Sequence, residues 1–177
     1  MRVKVKKYFY VLVMVTVIFS YGHKVLGQEK INISAGFGMP EFINIGLRFP
    51  LDQFQLGLSA GIFPADDESI SAFSGDVRYY FGGSSNLSDR PPWYLKVGLN
   101  YLRDETESLI DKYTYFNTRL GREFNISGYV GIEIEAGAVF ELSYERIRKQ
   151  SPSSSWNLDF NPSVLPSAQI GLFYRIF

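Results

Sequence analysis

Apolar and polar side chains alternate with a period of two along most of the chain after about residue 30. Successive side chains on a β-strand point to opposite sides, so this alternation predicts strands with one apolar and one polar face. Turn residues, mainly proline, glycine, asparagine and aspartate, separate the alternating segments. The pattern predicts an all-β, antiparallel, up-and-down fold with strands at about residues 30–39, 41–49, 54–63, 71–81, 93–103, 113–124, 129–146 and 165–177.

The connections between these eight predicted strands alternate in length. The connections after the second and sixth strands are short, and the one after the fourth is moderate. The connections after the third, fifth and seventh strands are charged or long, whereas the one at Pro40 is nearly absent. Membrane barrels of the bacterial outer membrane have short turns at one end and longer loops at the other. The alternation therefore favours a closed transmembrane barrel of eight strands.

The last predicted strand places Leu172, Tyr174 and Ile176 on its apolar face and ends on Phe177. An apolar strand edge without a partner promotes aggregation, and closure of the sheet into a barrel removes that edge. The segment resembles the terminal strand of Gram-negative outer-membrane barrels, in which a final aromatic residue is part of the assembly signal. The resemblance implies contact with the barrel-assembly machinery, although Phe177 lies one residue out of step with the apolar row.

The first 27 residues are predicted to be a cleaved signal peptide. Four basic residues precede an apolar run from Tyr8 to Gly22, which is shorter than the roughly 20 residues that a membrane-spanning helix needs. Cleavage is expected after Gly27, which leaves residues 28–177 as one barrel domain. A retained anchor helix is the alternative that this length disfavours.

The charge balance of the mature chain argues against nucleic acid as a partner. Residues 1–27 contain five of the 18 basic residues, so 13 basic residues remain against 18 acidic ones. A nucleic-acid-binding surface would need an excess of basic residues to neutralise phosphates. The chain contains no cysteine, so no disulfide stabilises it.

The mature chain as a whole resembles the small eight-stranded outer-membrane barrels of the OmpX type and the membrane domain of OmpA-like proteins. The resemblance implies an outer-membrane location with both termini in the periplasm, and contact with outer-membrane lipid and lipopolysaccharide. It also implies a non-enzymatic structural or interaction role. The alternative within the membrane is an accessory subunit of a larger outer-membrane complex, docked through lipid-facing aromatic residues.

A secreted, lipocalin-like carrier of a small apolar ligand is the alternative outside the membrane. Such a soluble barrel also has eight alternating strands, but its apolar face points inward. The polar face of the first three predicted strands consists mostly of glycine, serine and asparagine, which suits a crowded lumen better than a solvated surface. We therefore expect the polar face to point inward.

The inward face is predicted to carry a structural network of opposite charges. Because an eight-stranded barrel is only wide enough to be filled by its own side chains, we expect these charges to pair and to close the lumen. If the sixth and seventh strands pair around a turn at 125–128, Arg119 lies about opposite Glu133. An ion or proton path is the functional alternative. The predicted network is Arg48, Asp76, Arg78, Lys96, Arg119, Glu123, Glu133, Glu135, Glu141 and Arg175.

The mature chain lacks the residues of common catalytic sites. Its single histidine, His23, lies in the predicted signal peptide, and there is no cysteine. A Ser-His or Cys-His nucleophile is therefore impossible after cleavage, and no metal cluster or phosphate-binding loop is apparent. We expect no enzymatic activity, no metal and no cofactor.

Charged residues in the predicted long loops are candidates for contact with lipopolysaccharide. The acidic residues could bridge its phosphates through divalent cations, and the basic ones could bind them directly. Ordinary solvated loop charge is the alternative that we favour, because nothing in the sequence fixes their geometry. The residues are Asp66, Asp67, Glu68, Asp104, Glu105, Glu107, Asp111, Arg146, Arg148 and Lys149.

Overall fold

The computed structural model of the protein describes residues 29–64, 69–149 and 164–177. Three predicted features lie outside the described residues: the signal peptide at 1–27, the acidic residues Asp66, Asp67 and Glu68, and most of the long loop before the last strand. The domain boundary at residue 28 therefore stays a prediction.

Eight antiparallel strands form a closed barrel in the order of the chain, with the first strand paired to the last. The predicted all-β, up-and-down, eight-stranded barrel is confirmed. Across the described ranges, no helix is long and apolar enough to cross a membrane. The strands are β1 (Ile31–Gly38), β2 (Phe42–Leu51), β3 (Phe54–Pro64), β4 (Ser69–Gly82), β5 (Trp93–Glu105), β6 (Leu109–Asn125), β7 (Val130–Arg148) and β8 (Val164–Ile176).

The two ends of the barrel differ. The turn end carries the β2–β3, β4–β5 and β6–β7 connections, together with Glu29 and Phe177. The loop end carries the other connections. Phe177 follows β8 rather than extending it, and its ring meets the Tyr129 ring edge-on at a centroid distance of 5.3 Å.

Polar side chains line the lumen and apolar side chains cover the outer wall. Along β8, for example, Ser167, Gln169 and Arg175 are buried, whereas Ile170 and Leu172 are more than half exposed. The alternation of the sequence produces this arrangement directly, since neighbouring residues on each strand face opposite sides of the wall. The outer wall forms an apolar belt that includes Ile33, Ile45, Leu58, Phe73, Leu99, Leu120, Ile134 and Leu172.

The prediction of a charged loop at residues 104–112 is wrong for most of that range. β5 continues to Glu105 and β6 begins at Leu109, so the connection is only three residues long. Beyond the apolar belt charged and polar residues occur on both strand faces, and the period-two signal disappears although the strands continue. Cross-strand pairs such as Lys112 Nζ to Glu145 Oε2 at 3.2 Å stabilise this extension.

Candidate functional site

The lumen is the candidate site, because nine of the ten predicted network residues are buried there. The tenth, Glu141, lies half-buried on β7 opposite Tyr115, near the loop end. Among the described residues, the buried charged side chains comprise five cations and five carboxylates. The lumen is therefore electrically balanced, as buried charges require.

Glu133 forms the first centre of the network. Its carboxylate is fully buried and accepts hydrogen bonds from Arg48 and Arg78, each with one nitrogen at 2.7 Å from Oε2. A second Arg48 nitrogen donates to the other carboxylate oxygen, so that this pair is bidentate. Paired planar groups of this kind are the strongest side-chain ion pairs.

Glu135, two residues along the same strand, forms the second centre. Its carboxylate lies 2.7 Å from Arg78 Nη2, 3.3 Å from Lys96 Nζ and 3.0 Å from Arg119 Nη1. The Tyr94 hydroxyl also donates to it at 2.8 Å. Arg78 therefore connects the two carboxylates across the lumen, and its guanidinium lies 4.7 Å from the centre of the Tyr94 ring.

The predicted pairing of Arg119 with Glu133 is wrong. Arg119 lies opposite Gly137, and Glu133 lies opposite Glu123. The prediction assumed a tight turn between β6 and β7. In the structure, five residues lie between Asn125 and Gly131, which form the last residue pair of the two strands. The longer turn shifts the pairing of β7 against β6 by four residues. A shift by an even number keeps every side chain on its predicted face, so only the partner changed.

Arg119 instead binds Glu41, a residue that the sequence pattern did not place in the lumen. Arg119 Nη2 lies 2.6 Å from Glu41 Oε2 and donates to the Met39 carbonyl at 2.8 Å. Ser167 and Gln169 complete the guanidinium's partners at 2.6 Å each. Glu41 is 1% exposed because the short β1–β2 connection folds into the barrel mouth.

The glycine at position 61 makes room for this inward fold. A Cβ atom there would overlap the Glu41 carbonyl oxygen. Phe42, the next residue, has a positive φ of 54° and its ring packs against Phe63 at 5.1 Å. The alternation of apolar and polar residues does not identify Glu41 as a lumen residue, because Glu41 precedes the first residue of β2.

A second ion-pair group closes the turn end. Arg175 lies 2.7 Å from Glu123 and 2.8 Å from Glu29, and Glu29 also binds Arg90 at 2.8 Å. The Tyr80 hydroxyl donates to Glu123 at 2.6 Å, and Arg90 covers the Tyr80 ring at 4.8 Å. Arg90 belongs to the β4–β5 connection, so this connection reaches beneath the lumen.

An apolar layer closes the lumen at the loop end. It consists of Leu102, Tyr115 and Val139, with Phe42, Ile70, Tyr113 and Leu165 packed against it. Between this layer and the turn-end group, a hollow of about 10 Å³ borders Asp76, Arg78 and Lys96. A cavity of that size holds about one water molecule at most. This hollow is too small for a substrate.

The buried carboxylates named above each lie beside a cation or a hydroxyl, and residues 28–177 contain neither histidine nor cysteine. No group of three or more potential metal ligands occurs among the residues that the structure describes. The lumen side chains are arranged to neutralise one another and to fill the barrel.

Several of the charged loop-end residues pair with one another. Arg146 binds Asp111 at 2.8 and 3.0 Å, and Glu105 binds Arg103 at 2.7 Å as well as Lys149. The Arg146–Asp111 pair joins the neighbouring strands β7 and β6, and the Arg103–Glu105 pair lies along β5. Lys149, which follows β7, reaches the end of β5.

Comparison with known proteins gives likeness in structure only. No protein-family profile and no curated protein sequence matches the chain. The N-terminal β-barrel domain of Pseudomonas aeruginosa OprF superposes with a TM-score of 0.55 at 16% identity, over 84% of this chain and all of that one. Acinetobacter baumannii CarO gives a TM-score of 0.48 at 13% identity, over 86% of this chain and all of that one. The OprF likeness shows a shared barrel fold.

Proposed function

We propose that the protein is a non-enzymatic, integral outer-membrane β-barrel with a structural or interaction role. The observation that carries this proposal is the combination of an apolar outer belt with a filled, charge-balanced lumen. Outer-wall residues such as Ile45 and Leu58 are 68% and 61% exposed. A soluble protein seldom exposes a contiguous apolar surface of this extent, whereas a lipid bilayer requires one.

The direction of the polar face distinguishes this proposal from a lipocalin-like carrier. A carrier of an apolar ligand needs an apolar cavity inside the barrel. Here Arg78, Glu133 and Glu135 occupy the centre of the lumen and are at most 1% exposed. Binding of an apolar ligand there would separate these ion pairs from one another and would be strongly unfavourable.

The proposed orientation places the turn end in the periplasm and the loop end outside. Outer-membrane barrels have short periplasmic turns and longer outer loops. The β2–β3 connection at the turn end, where Glu29 and Phe177 also lie, has two residues, whereas the β7–β8 connection at the loop end has fifteen. We therefore place both described chain ends on the periplasmic side.

Cell fractionation with labelling of single cysteines tests this proposal. The native chain has no cysteine, so a cysteine introduced at Glu107 or at Asp52 is a unique label site. We expect the protein in the membrane fraction after urea washing, with Glu107→Cys labelled by an impermeant maleimide on intact cells and Asp52→Cys protected. Recovery in the soluble periplasm would contradict the membrane location. Labelling of Asp52→Cys alone would show that the barrel has the opposite orientation.

A hollow on the outer wall favours the second candidate, an accessory subunit of a larger outer-membrane complex. The hollow has a volume of about 730 Å³ and is lined by residues of β1 to β6, among them Ala60 and Gly75. Only Leu58 lies near a Cβ atom added at Gly75, so the wall is open there. Small residues allow close approach of a second membrane-spanning element.

Affinity purification from native membranes distinguishes an autonomous barrel from a subunit. We would compare the wild type with Gly75→Phe, which fills the hollow, and with Ala136→Phe, which adds the same bulk on the outer face of β7. A partner recovered at fixed stoichiometry with the wild type and Ala136→Phe, but lost with Gly75→Phe, would support the subunit. Recovery of the barrel alone would support an autonomous protein.

A further inference from the structure

Between the turn end and the loop-end extension, the other charged residues on the described strands face inward, whereas Arg122 faces outward. Arg122 lies on β6 between the outward-facing Leu120 and Phe124, and it is exposed on the outer wall. Its cross-strand neighbours are Trp93 on β5 and Ile134 on β7.

Two aromatic rings hold the Arg122 side chain. The guanidinium carbon lies 5.2 Å from the centre of the Trp93 ring and 4.9 Å from that of the Phe124 ring. Both distances are within the range of cation–π attraction. Contacts on two sides restrict the rotamers of a long side chain, so the charged group is pre-organised.

The guanidinium has no acidic partner among the described residues. Within the described part of the chain, no carboxylate forms an ion pair with Arg122, in contrast to Arg48, Arg78, Arg119 and Arg175 in the lumen. Aromatic rings leave the in-plane N–H donors of a guanidinium available. The site thus presents a fixed positive charge with unused donors to whatever surrounds the outer wall.

The height of Arg122 on the barrel indicates what surrounds it. Trp93 is the first residue of β5, and Arg122 is three residues from the end of β6, so both lie at the turn end. Other aromatic residues continue this band on the outer wall, with Phe54 and Tyr79 at 5.1 Å and Tyr129 and Tyr174 at 6.3 Å. Aromatic girdles of this kind lie at membrane interfaces, where lipid phosphates are found.

We propose that Trp93, Arg122 and Phe124 form a binding site for the phosphate of an anionic phospholipid headgroup at the turn-end interface. This inference rests on the proposed membrane location. An outward cation is strongly disfavoured near the bilayer midplane and tolerated at the interface. The planar guanidinium matches phosphate oxygens with two parallel hydrogen bonds, which makes arginine suited to this ligand.

Trp93 is a built-in reporter of the site. The chain has two tryptophans, so Trp156→Phe leaves Trp93 as the sole tryptophan. The full chain without residues 1–27 would be reconstituted in mixed vesicles of phosphatidylcholine and phosphatidylglycerol, with either lipid brominated close to the headgroup. Quenching of Trp93 fluorescence then reports which lipid occupies the adjacent position.

We expect brominated phosphatidylglycerol to quench Trp93 with roughly fivefold preference over brominated phosphatidylcholine. This is the factor given by the approximately 1 kcal/mol that one cationic side chain contributes near an anionic surface. Arg122→Gln should reduce the preference to about one, and Arg122→Lys should retain part of it because charge remains without the planar fork. Arg122 is exposed, so both variants should fold, as β-sheet circular dichroism would verify.

Lys30→Gln is the matched control, since Lys30 is another exposed cation at the turn end. It should leave the preference unchanged. If Lys30→Gln reduced the lipid preference as much as Arg122→Gln, or if the wild type showed no preference, the proposed site would be wrong. Quenching by both lipids would still support the membrane location. Absence of quenching by either lipid would overturn both. The preference could also be lost on adding inorganic phosphate but retained in sodium chloride of the same ionic strength. That result would show that the site binds free phosphate, and it would contradict a lipid ligand.

Discussion

Arg78, Arg119 and Arg175 in the lumen are each held by more than one acceptor group. Arg119 illustrates this, with two carboxylates, two neutral side chains and a main-chain carbonyl around one guanidinium. Removing charges from water is costly, and the cost is offset only when geometry and additional hydrogen bonds satisfy the buried groups. Deleting one member therefore affects stability more than deleting an exposed ion pair.

Arg119→Ala should destabilise the barrel by about 3–5 kcal/mol, because it leaves the Glu41 and Glu135 carboxylates short of a buried cation. Urea unfolding of the protein reconstituted in vesicles measures the change. Lys112→Ala is the control, since it breaks a partly exposed pair with Glu145 and should cost no more than about 1 kcal/mol. Equal effects of the two variants would contradict the proposed role of Arg119.

Gly121→Ala should destabilise the barrel by about 1–3 kcal/mol through overpacking. A Cβ atom at position 121 would overlap the ring of Tyr94, which is fully buried and bonded to Glu135. Gly75→Ala adds the same methyl group where the nearest atom is 3.7 Å away, so its effect should be small. Both midpoints can be read from the same urea titration. A Gly121 variant as stable as the Gly75 variant would show that Tyr94 relocates freely.

At the scale of elements, the strands of one side of the barrel extend beyond the apolar belt. β6 and β7 are 17 and 19 residues long, whereas β1 and β2 have 8 and 10. A bulge lies near the start of the extension, where Leu142 has no partner on β6. Beyond the bulge, Tyr113 stacks on Tyr144 at 4.9 Å. Such cross-strand pairs stabilise a sheet that no longer has an apolar face to bury.

The inward fold of the β1–β2 connection should depend on Gly61. Gly61→Ala forces the Glu41 carbonyl oxygen to move, and the Glu41 carboxylate should then lose its contact with Arg119. We expect a loss of about 1–3 kcal/mol from overpacking. In the Glu41→Gln background the contact is already weakened, so the two substitutions should be less than additive. Full additivity in a double-mutant cycle would contradict this coupling.

At the scale of the whole molecule, the filled lumen should conduct no ions. Ion-pair groups occupy its centre and turn end, and an apolar layer closes the loop end. Planar-bilayer recordings of the reconstituted protein should show no discrete current steps, while a porin added to the same bilayer as a positive control should produce them. Reproducible steps from the protein alone would show that the charged side chains rearrange into a path, the alternative that the sequence left open.

The sequence by itself determined the strands, their faces and the closed barrel. The period of two assigns each side chain to a face independently of its cross-strand partner. The outward face of β8 could therefore be assigned from residues such as Leu172 and Tyr174. Predicted and observed strand ends agree closely inside the apolar belt. They diverge at β6, which begins at Leu109 rather than near Tyr113, because neither strand face is consistently apolar there.

Only the tertiary structure decided which charges meet. Arg48 and Glu133 are 85 positions apart and touch across the lumen, at a distance set by the barrel's radius and stagger. The length of one turn decided that Arg119 binds Glu41 and Glu135 instead of Glu133. The cluster of Arg122 with Trp93 and Phe124 likewise depends on strand register. Alternation is a local property of the chain, whereas contacts across a barrel depend on how all eight strands are aligned.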